Sequence, residues 1–434
     1  MRSSTTIKCF SNRLAAAAGG LLISISAQAE TVVLECQQLL DVESGKMLQQ
    51  QQVLVDGNRI QSVGKAVDAA PDIKRLELAT CLPGLMDMHV HLDGQSAPNS
   101  YIKQFQNNAA DYALTAAYYA GITLRAGFTT VRNLGDSYNA TVALRNSISR
   151  GEAIGPRIFT SASSIGTTGG HADPTNGYRQ DLMGDPGPVD GVINSADDAR
   201  KAVRQRYKDG ADWIKITATG GVLSLAKNGR NPQFMPDELE ALVAAANDYG
   251  FSVAAHAHGK EGMKRAIAAG VTSIEHGTYM DDEIIQLMKQ KGTWYVPTIT
   301  AGKFVAEKAA VDGYFPEVVR PKAAAVGPQI QQTFALAYKG GVKIAFGTDM
   351  GVAPHGENAQ EFAYMVEAGM PPLEAIRSAT VYSAEMLQVS ADLGSIAAGK
   401  YADIIAVSGD PLQDVNVLRQ VEFVMKDGLV IPLD

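Results

Sequence analysis

The sequence predicts an α/β protein, a (β/α)8 TIM barrel with a small β-sandwich domain formed from both chain ends. Eight strand-like segments alternate with helical patterns between residues 83 and 389, and shorter β-rich segments occupy residues 30–82 and 390–434. Histidines and one aspartate recur where the strand-like segments end, which is the face where such barrels carry their active sites. An open, doubly wound sheet is the alternative, but no glycine-rich phosphate loop follows the first strand.

The first 29 residues are typical of a secretory signal that is removed from the mature protein. Arg2, Lys8 and Arg13 give a basic start, an apolar run covers residues 14–25, and Ala27-Gln28-Ala29 offers a small-residue cleavage site. The apolar run is shorter than the roughly 20 residues that a membrane-spanning helix needs. We therefore expect a periplasmic or secreted protein.

The bulk composition limits the partners. With 46 acidic and 38 basic side chains, the formal net charge is −8, which disfavours nucleic acid or an anionic membrane as the main partner. Cys36 and Cys81 follow the predicted signal, and an oxidising compartment permits a disulfide between them. Two buried free thiols fit their strand-like surroundings equally well, so the cysteines do not define the fold.

The two β-rich ends predict one small sheet domain. From residue 31 to 82, short strand-like segments are separated by Gly and Asn-Arg turns. The same pattern returns after residue 390, where Asp427-Gly428 is a typical two-residue hairpin turn. We expect residues 30–82 and 390–434 to form the sandwich around a barrel of residues 83–389.

The barrel is predicted from alternating strands and helices. The candidate strands are LMDMHVH, TTVRNLG, RIFTSAS, WIKITA, SVAAHAH, SIEHG, WYVPTIT and KIAFGTD. Helical patterns at residues 196–210, 235–250 and 260–270 each close on a glycine, which is a common helix stop.

Six side chains at the ends of four predicted strands are candidate metal ligands. They are His89 and His91 on the first strand, His256 and His258 on the fifth, His276 on the sixth and Asp349 on the eighth. Residues i and i+2 of a strand share a face, so each H-x-H pair points the same way. Imidazoles and a carboxylate in one cluster suit zinc or a related divalent ion.

Lys215 is a charged residue in an otherwise apolar predicted strand. It lies between isoleucines in WIKITATGG on the fourth predicted strand, where an unpaired ammonium is costly. Either it pairs with a carboxylate across the barrel, or the neutral amine is carbamylated by CO₂ and becomes an anionic oxygen ligand able to bridge two metals.

These motifs resemble the amidohydrolase superfamily. PGLMDMHVHL, the inward Lys215, HAHG, IEHG and GTDM look like its imidazolonepropionase-related branch, which includes Xaa-Pro dipeptidases and carboxypeptidases that remove C-terminal arginine or lysine. TGGHADP, KITATGG, VAAHAHG, GTDMG and GKYADIIAVSGDP follow in the branch's order, so the likeness spans almost the whole mature chain. Amidases that release phenylalanine from ochratoxin A look similar too.

The resemblance implies a site with two divalent metal ions, most simply Zn²⁺. His89, His91 and Asp349 would hold one ion, His256 and His276 the other, and N6-carboxylated Lys215 would bridge them. Asp349 would also be the catalytic acid and base. The family pattern has one ligand on the fifth strand, which leaves His258 for substrate, although the roles of His256 and His258 are interchangeable at this point.

The substrate-binding residues are predicted from the same likeness. His171, in TTGGHADP, and His258 resemble positions that bind the substrate's α-carboxylate in the dipeptidase branch, although His171 could instead order its loop. Tyr178 shares that loop and is a further candidate. Arg179 is in the same loop, but an exposed loop arginine is expected to be a solvated surface residue and not a substrate ligand. His355 either shapes the mouth of the site or is structural. The loops 169–191 and 221–232 are expected to cover the site.

The resulting functional hypothesis is a binuclear metal-dependent amide hydrolase that releases a C-terminal amino acid from dipeptides or N-acyl amino acids. This carboxypeptidase or dipeptidase activity includes hydrolysis of ochratoxin A to phenylalanine. A cyclic amide or imidazolone hydrolase is the alternative enzyme, and a non-catalytic barrel scaffold conflicts with the full ligand set. The partner is a small-molecule amide or dipeptide, and the resemblance implies a homo-oligomer. The sequence identifies neither the native metal nor the preferred C-terminal residue.

Overall fold

The computed structural model describes residues 30–98 and 100–433. The predicted secretory signal lies outside the described residues. Within them, no helix combines the length and the apolar character needed to cross a membrane.

The first β-rich region consists of strands, as predicted, and the structure has four of them. They are β1 (Val32–Asp41), β2 (Lys46–Asp56), β3 (Arg59–Gly64) and β4 (Lys74–Pro83). Strands β1 and β2 pair antiparallel and β1 and β4 pair parallel, so the chain folds back on itself before the central region begins.

The central region contains two parallel sheets and a small strand pair. Its strands are β5 (Leu85–Val90), β6 (Phe128–Asn133), β7 (Arg157–Thr160), β8 (Gly166–Thr167), β9 (Val192–Ile193), β10 (Trp213–Thr217), β11 (Ser252–Ala257), β12 (Ser273–His276) and β13 (Trp294–Val296). The sheets have the orders β5-β6-β7 and β10-β11-β12-β13, with β8-β9 apart. Seven of the eight predicted strands are confirmed.

The helices fill the connections between these strands. They are α1 (Ala109–Arg125), α2 (Ala140–Ser149), α3 (Gln180–Met183), α4 (Ala196–Asp209), α5 (Pro236–Asp248), α6 (Lys260–Ala269), α7 (Asp282–Lys291), α8 (Ile299–Ala309), α9 (Arg320–Lys339), α10 (Gln360–Glu367), α11 (Pro372–Ser378) and α12 (Val381–Met386). The three predicted glycine stops are confirmed, since Gly210, Gly250 and Gly270 all have positive φ.

The eighth predicted strand, KIAFGTD, is not a regular strand. Ile344 and Met350 form isolated parallel bridges to Tyr295 of β13 and Val90 of β5. Between them the ladder is interrupted, because the Phe346 amide donates to the carbonyl of Ser378 instead of to a strand. We call residues 342–350 the eighth segment.

Backbone hydrogen bonds join the two parallel sheets on both sides. On one side the Asp212 amide donates to the Thr160 carbonyl at 2.7 Å. On the other, the eighth segment connects β13 to β5, since the Tyr295 amide donates to the Lys343 carbonyl and the Met88 amide to the Phe346 carbonyl, both at 2.8 Å.

The C-terminal strands complete the first sheet. Strands β14 (Ile404–Val407), β15 (Val421–Lys426) and β16 (Leu429–Ile431) extend it to the order β16-β15-β14-β4-β1-β2-β3. Asp427 and Gly428 both have positive φ in the β15–β16 turn, as a two-residue hairpin requires. A small β-sandwich domain was predicted from both chain ends; the strand pairing confirms one separate sheet made from both ends, with all seven strands hydrogen-bonded in a single order.

Cys36 and Cys81 form a disulfide between β1 and β4, with their Cα atoms 5.8 Å apart. The interpretation of two free thiols was therefore wrong. The sequence could not decide this because the pairing of β1 with β4 depends on a fold-back that brings together residues 45 positions apart.

Candidate metal centre and substrate cavity

Eight polar side chains predicted from the sequence are among the residues that line one cavity of about 840 Å³. They are His89, His91, His171, Lys215, His256, His258, His276 and Asp349. Six of them lie at or just beyond the carboxyl ends of β5, β11, β12 and the eighth segment, as expected for this type of fold, and Lys215 lies in the middle of β10.

His89, His91 and Asp349 form a compact group of metal-ligand type. One ligand atom from each lies within 4.8 Å of the others. The Oδ1 atom of Asp349 is 3.3 Å from Nε2 of His91 and 3.6 Å from Nε2 of His89. This oxygen is buried and has no hydrogen-bond partner among the described residues. A buried carboxylate oxygen without a donor, facing two imidazoles, fits a divalent cation.

The other nitrogen of each of these imidazoles already has an acceptor. Nδ1 of His91 is 3.1 Å from the Gly135 carbonyl, and Nδ1 of His89 is 2.9 Å from Oε2 of Glu275. Such a contact favours the tautomer that leaves the lone pair of Nε2 directed into the cavity, which is the arrangement that binds a metal.

The second pair of predicted ligands is oriented in a related way. His276 places Nδ1 2.7 Å from the hydroxyl of Thr298, and His256 places Nε2 3.2 Å from the Gly220 carbonyl. Their rings are 4.7 Å apart between centroids, so the remaining nitrogens share one region of the cavity. His256 therefore offers Nδ1, and His276 offers Nε2.

Lys215 is buried in the middle of this cluster. Its Nζ is 3.3 Å from Nε2 of His89, and no carboxylate within residues 30–98 and 100–433 lies within ion-pair distance. Burial lowers the pKa of Lys215, while the more distant charges of Glu275 and Asp349 oppose that shift. The direct ion pair that was one of the two interpretations is therefore absent among the described residues.

Burial dominates the protonation of the whole cluster. It lowers the pKa of His91 to about 4 and that of His171 and His258 to about 3, so these imidazoles are neutral at pH 7. Neutral imidazole is the form that binds metal ions. Burial also raises the pKa of Asp349, against the opposing influence of Lys215.

Two predicted ligands have left-handed backbone conformations. His276 has φ of 70° and Asp349 has φ of 60°, a region that L-residues seldom occupy outside special sites. Both residues were predicted at strand ends, and the extended backbone stops at each of them. The turn directs both side chains toward the cavity.

Glu275 and Arg132 were not singled out from the sequence. Arg132 Nη2 is 2.9 Å from Oε1 of Glu275, Arg132 Nε donates to the Met88 carbonyl, and both side chains are fully buried. A charged residue inside an apolar strand is the same signal that identified Lys215, and it is present in both TTVRNLG and SIEHG.

The loops predicted to cover the site do line the cavity. His171 from the first loop lies 4.4 Å from His256 between ring centroids, and Val222 and Leu223 come from the second loop. Lys322 of α9 holds the second loop by donating to the carbonyls of Gly221, Ser224 and Ala226.

Three further candidates lie outside the metal cluster. Tyr178 lines an adjoining cavity and its hydroxyl donates to the Tyr101 carbonyl at 3.4 Å. Arg179 is exposed and pairs with Asp181, which agrees with the expectation that it does not bind substrate. His355 lies with Nε2 3.0 Å from the Gly94 carbonyl and stacks on Tyr119, so its contacts are structural.

The fold and this site define an enzyme class. Residues 80–431 match the amidohydrolase family, and the chain belongs to that family. It is a hydrolase acting on amide bonds, with a fold of TIM-barrel type, mixed α/β content and a separate sheet domain.

Particular members of the family are similar over nearly the full chain. Ochratoxinase of Aspergillus niger is 32% identical over 431 residues, covering 94% of this chain and 88% of the relative. Its crystal structure has a TM-score of 0.81 at 30% identity, covering 93% and 96% of the two chains. A Xaa-Pro dipeptidase crystallised with methionine in its active site has a TM-score of 0.89 at 51% identity, covering 92% and 99%.

Proposed function

We propose that this chain is a binuclear metal-dependent amide hydrolase that releases a C-terminal amino acid from a dipeptide or an N-acyl amino acid. The observation that carries the proposal is the convergence of His89, His91 and Asp349, with a buried, unpartnered carboxylate oxygen, beside a buried Lys215. Similarity to a Xaa-Pro dipeptidase and to ochratoxinase supports an amide between an acyl group and an amino acid.

The donor set fits two divalent ions, and Zn²⁺ suits its nitrogen and oxygen ligands. His89, His91 and Asp349 would hold one ion and His256 and His276 the other. When bound, such ions polarise the scissile carbonyl and lower the pKa of a water molecule toward ~7. The unoccupied ring nitrogens described above support these assignments.

Lys215 is proposed to be N6-carboxylated. The lowered pKa of Lys215 increases the fraction of neutral amine. Its nitrogen lone pair attacks the carbon of CO₂, one proton leaves the nitrogen, and an anionic carbamate remains. The carbamate provides two oxygen ligands from a position 3.3 Å from His89, without an isolated buried ammonium.

Asp349 is proposed to transfer the proton. Its carboxylate accepts a proton from the attacking water and passes it to the nitrogen of the departing amine, as a general base and then a general acid. Its carboxylate lies beside His89 and His91 in the catalytic cavity, where the attacking water would be held.

The α-carboxylate of the substrate is proposed to bind His171 and His258. Both imidazoles are neutral, so each would bind the carboxylate by donating a hydrogen bond and not through an ion pair. Nδ1 of His258 is 2.8 Å from the Thr278 hydroxyl, which leaves Nε2 for the substrate. Nδ1 of His171 is buried and lacks a partner in the part of the chain that the structure describes. A contact between Tyr178 and the substrate stays a prediction.

Three further parts of the hypothesis remain proposals. The hydrogen bonds on both sides of the parallel sheets support closure of β5–β7, β10–β13 and the eighth segment into a (β/α)8 barrel. The basic, apolar start of the sequence supports a periplasmic or secreted location. Assembly into a homo-oligomer rests on the family resemblance.

The test is hydrolysis of an amide panel by the mature chain reconstituted with Zn²⁺. The panel contains Xaa-Pro, Xaa-Lys, Xaa-Arg and Xaa-Phe dipeptides, N-acyl-phenylalanines including ochratoxin A, and C-terminally amidated counterparts. Cleavage of the free acids alone supports the proposal, and the preferred residue identifies the substrate. If metal binds but no free acid is cleaved, the substrate assignment is wrong, and cyclic amides become the next class to test.

A further inference from the structure

We propose that a second cavity, beside the metal cluster, binds a large flat apolar acyl group of the substrate. This cavity has a volume of about 440 Å³, and we call it the tyrosine pocket. Its aromatic walls are Tyr101, Tyr112, Tyr119, Tyr178, Tyr314 and Phe315. The proposal rests on the proposed function and names the acyl half of its substrate.

The tyrosine pocket adjoins the catalytic cavity. Six residues line both cavities, so the boundary between the cavities lies beside the predicted metal ligand His91. The six are His91, Asp93, Gln104, Tyr112, Leu223 and Val352. One substrate molecule could therefore place its acyl carbon at the metal cluster and the rest of its acyl group in the tyrosine pocket.

Six of the residues that line the tyrosine pocket are aromatic, and several of their hydroxyls contact the backbone. The hydroxyl of Tyr101 donates to the Leu223 carbonyl at 2.8 Å, that of Tyr178 to the Tyr101 carbonyl at 3.4 Å, and that of Tyr314 to the Ser96 carbonyl at 3.3 Å. In these three of the five tyrosines the hydroxyl is bound to the backbone, so the ring is the part that a ligand would contact. Aromatic faces bind flat apolar groups by stacking and edge contacts.

Asp93 and Lys103 are the acidic and basic residues among those that line the pocket. Lys103 is an exposed residue at the rim, and the Asp93 carboxylate accepts a hydrogen bond from the Ser137 amide at 2.9 Å. A volume of this size exceeds the needs of a single methyl group and lies in the range of ligand pockets.

The geometry of the histidine cluster decides which half of the substrate enters the pocket. Consecutive ring centroids are 5.4 Å apart from His91 to His89, 5.0 Å to His276, 4.7 Å to His256 and 4.4 Å to His171. His91 lines both cavities, whereas His171 lines the catalytic cavity and not the tyrosine pocket. If the α-carboxylate binds His171, the acyl half is the part of the substrate that extends past His91 toward the tyrosine pocket.

One face of α1 allows the pocket to be filled by substitution. Tyr112, Thr115 and Tyr119 follow helical spacing and all line the pocket. Thr115→Trp places a large side chain in the pocket. Leu114→Trp is the matched control, because residue 114 is on the same helix but is 73% exposed.

The experiment compares N-acetyl-phenylalanine with N-(2-naphthoyl)-phenylalanine, using kcat/KM of the Zn²⁺-loaded full chain. We expect the unsubstituted protein to favour the naphthoyl substrate by about tenfold or more, within the discrimination an apolar pocket can give. Thr115→Trp should lose that preference and keep the rate on the acetyl substrate, while Leu114→Trp keeps both. If Thr115→Trp keeps the naphthoyl preference of the unsubstituted protein, or if the unsubstituted protein has no such preference, the proposal is overturned.

A binding measurement separates failure of the pocket from failure of the proposed function. If neither compound is hydrolysed, calorimetry with N-(2-naphthoyl)-phenylalanine still reports the pocket, and Thr115→Trp should weaken binding by about tenfold or more. Unchanged binding contradicts the proposal. If Thr115→Trp unfolds at a lower temperature than the control, Tyr314→Ala replaces it, because loss of that wall should also weaken binding of the naphthoyl compound selectively.

Discussion

Nδ1 of His89 lies 2.9 Å from Oε2 of Glu275, and Arg132 contacts the other oxygen of the same carboxylate at 2.9 Å. All three side chains are buried. The carboxylate fixes the ring so that Nε2 faces Lys215 and Asp349. Glu275 is therefore a positioning residue for a predicted metal ligand.

Replacing Glu275 with glutamine should weaken metal binding. A histidine that binds a metal through one ring nitrogen is oriented by the hydrogen bond of its other ring nitrogen. Loss of that hydrogen bond typically lowers metal affinity by about 10- to 100-fold. Competition with a chromogenic chelator measures this. Glu238→Gln is the matched control, since Glu238 is also buried but binds the Met235 amide at the start of α5. Equal zinc affinity in both variants would contradict the positioning role.

Asp349→Asn should keep the fold and lose nearly all turnover. Asparagine retains the shape and one oxygen, but it cannot accept and release the proton, so kcat should fall by about 10²- to 10⁴-fold. Initial rates on the best substrate of the panel, together with circular dichroism and metal content, check this. Substantial residual activity in a folded, metal-loaded variant would remove Asp349 from the catalytic role.

Lys215→Ala should reduce the bound zinc from two ions to about one per chain, because the bridging anion is lost. Elemental analysis measures the stoichiometry. Lys343→Ala is the control, since Lys343 is a half-exposed lysine paired with Glu385. Native mass spectrometry should show one added CO₂ on the unsubstituted protein and none on Lys215→Ala. An unmodified Lys215 with two bound ions would refute carboxylation.

Gly221→Ala should raise KM with a smaller effect on kcat. A Cβ atom at residue 221 would lie 2.2–2.4 Å from three ring atoms of His171, so the imidazole must move away from its place beside His256. Gly187→Ala is the control, because no atom lies within 4 Å of a Cβ built there. An unchanged KM in Gly221→Ala would place the substrate carboxylate away from His171.

Removing the disulfide should destabilise the chain by about 2–4 kcal/mol, since the bond closes a loop between residues 45 positions apart. Denaturant unfolding of a Cys36→Ser, Cys81→Ser double variant measures the change. Adding a reductant to the unsubstituted protein should produce the same shift and leave the variant unaffected. Identical midpoints for all samples would show that the bond contributes nothing to stability.

The sequence predicted which residues line the cavity more fully than it predicted their backbone conformations. His89 and His91 follow strand alternation, and both were placed correctly in the cavity. His276 and Asp349 were placed correctly too, but their left-handed backbones depend on the turns that follow and leave no local sequence signal. The eighth segment reads as a strand, yet its ladder is interrupted by a bond from Phe346 to Ser378 in a distant helix.

Pairings between distant residues were harder to predict. The disulfide requires β1 and β4 to lie side by side, and the contact of Arg132 with Glu275 joins β6 to β12 across the central region. Neither relation follows from periodicity along the chain. Charged residues inside apolar strands are a usable signal for such pairs, and applying it to Arg132 as well as to Lys215 would have found this one.

The order of the seven-stranded sheet has a consequence for the time at which the chain can reach its native state. Strand β4 pairs with β1 on one side and with β14 on the other, where Pro83 lies opposite Ile404. Until the ribosome has made β14, one edge of β4 has unpaired backbone groups and is a template for association with other chains. Pairing across this sequence separation is slow to form. A nascent or truncated chain that ends before residue 404 should therefore be prone to aggregation.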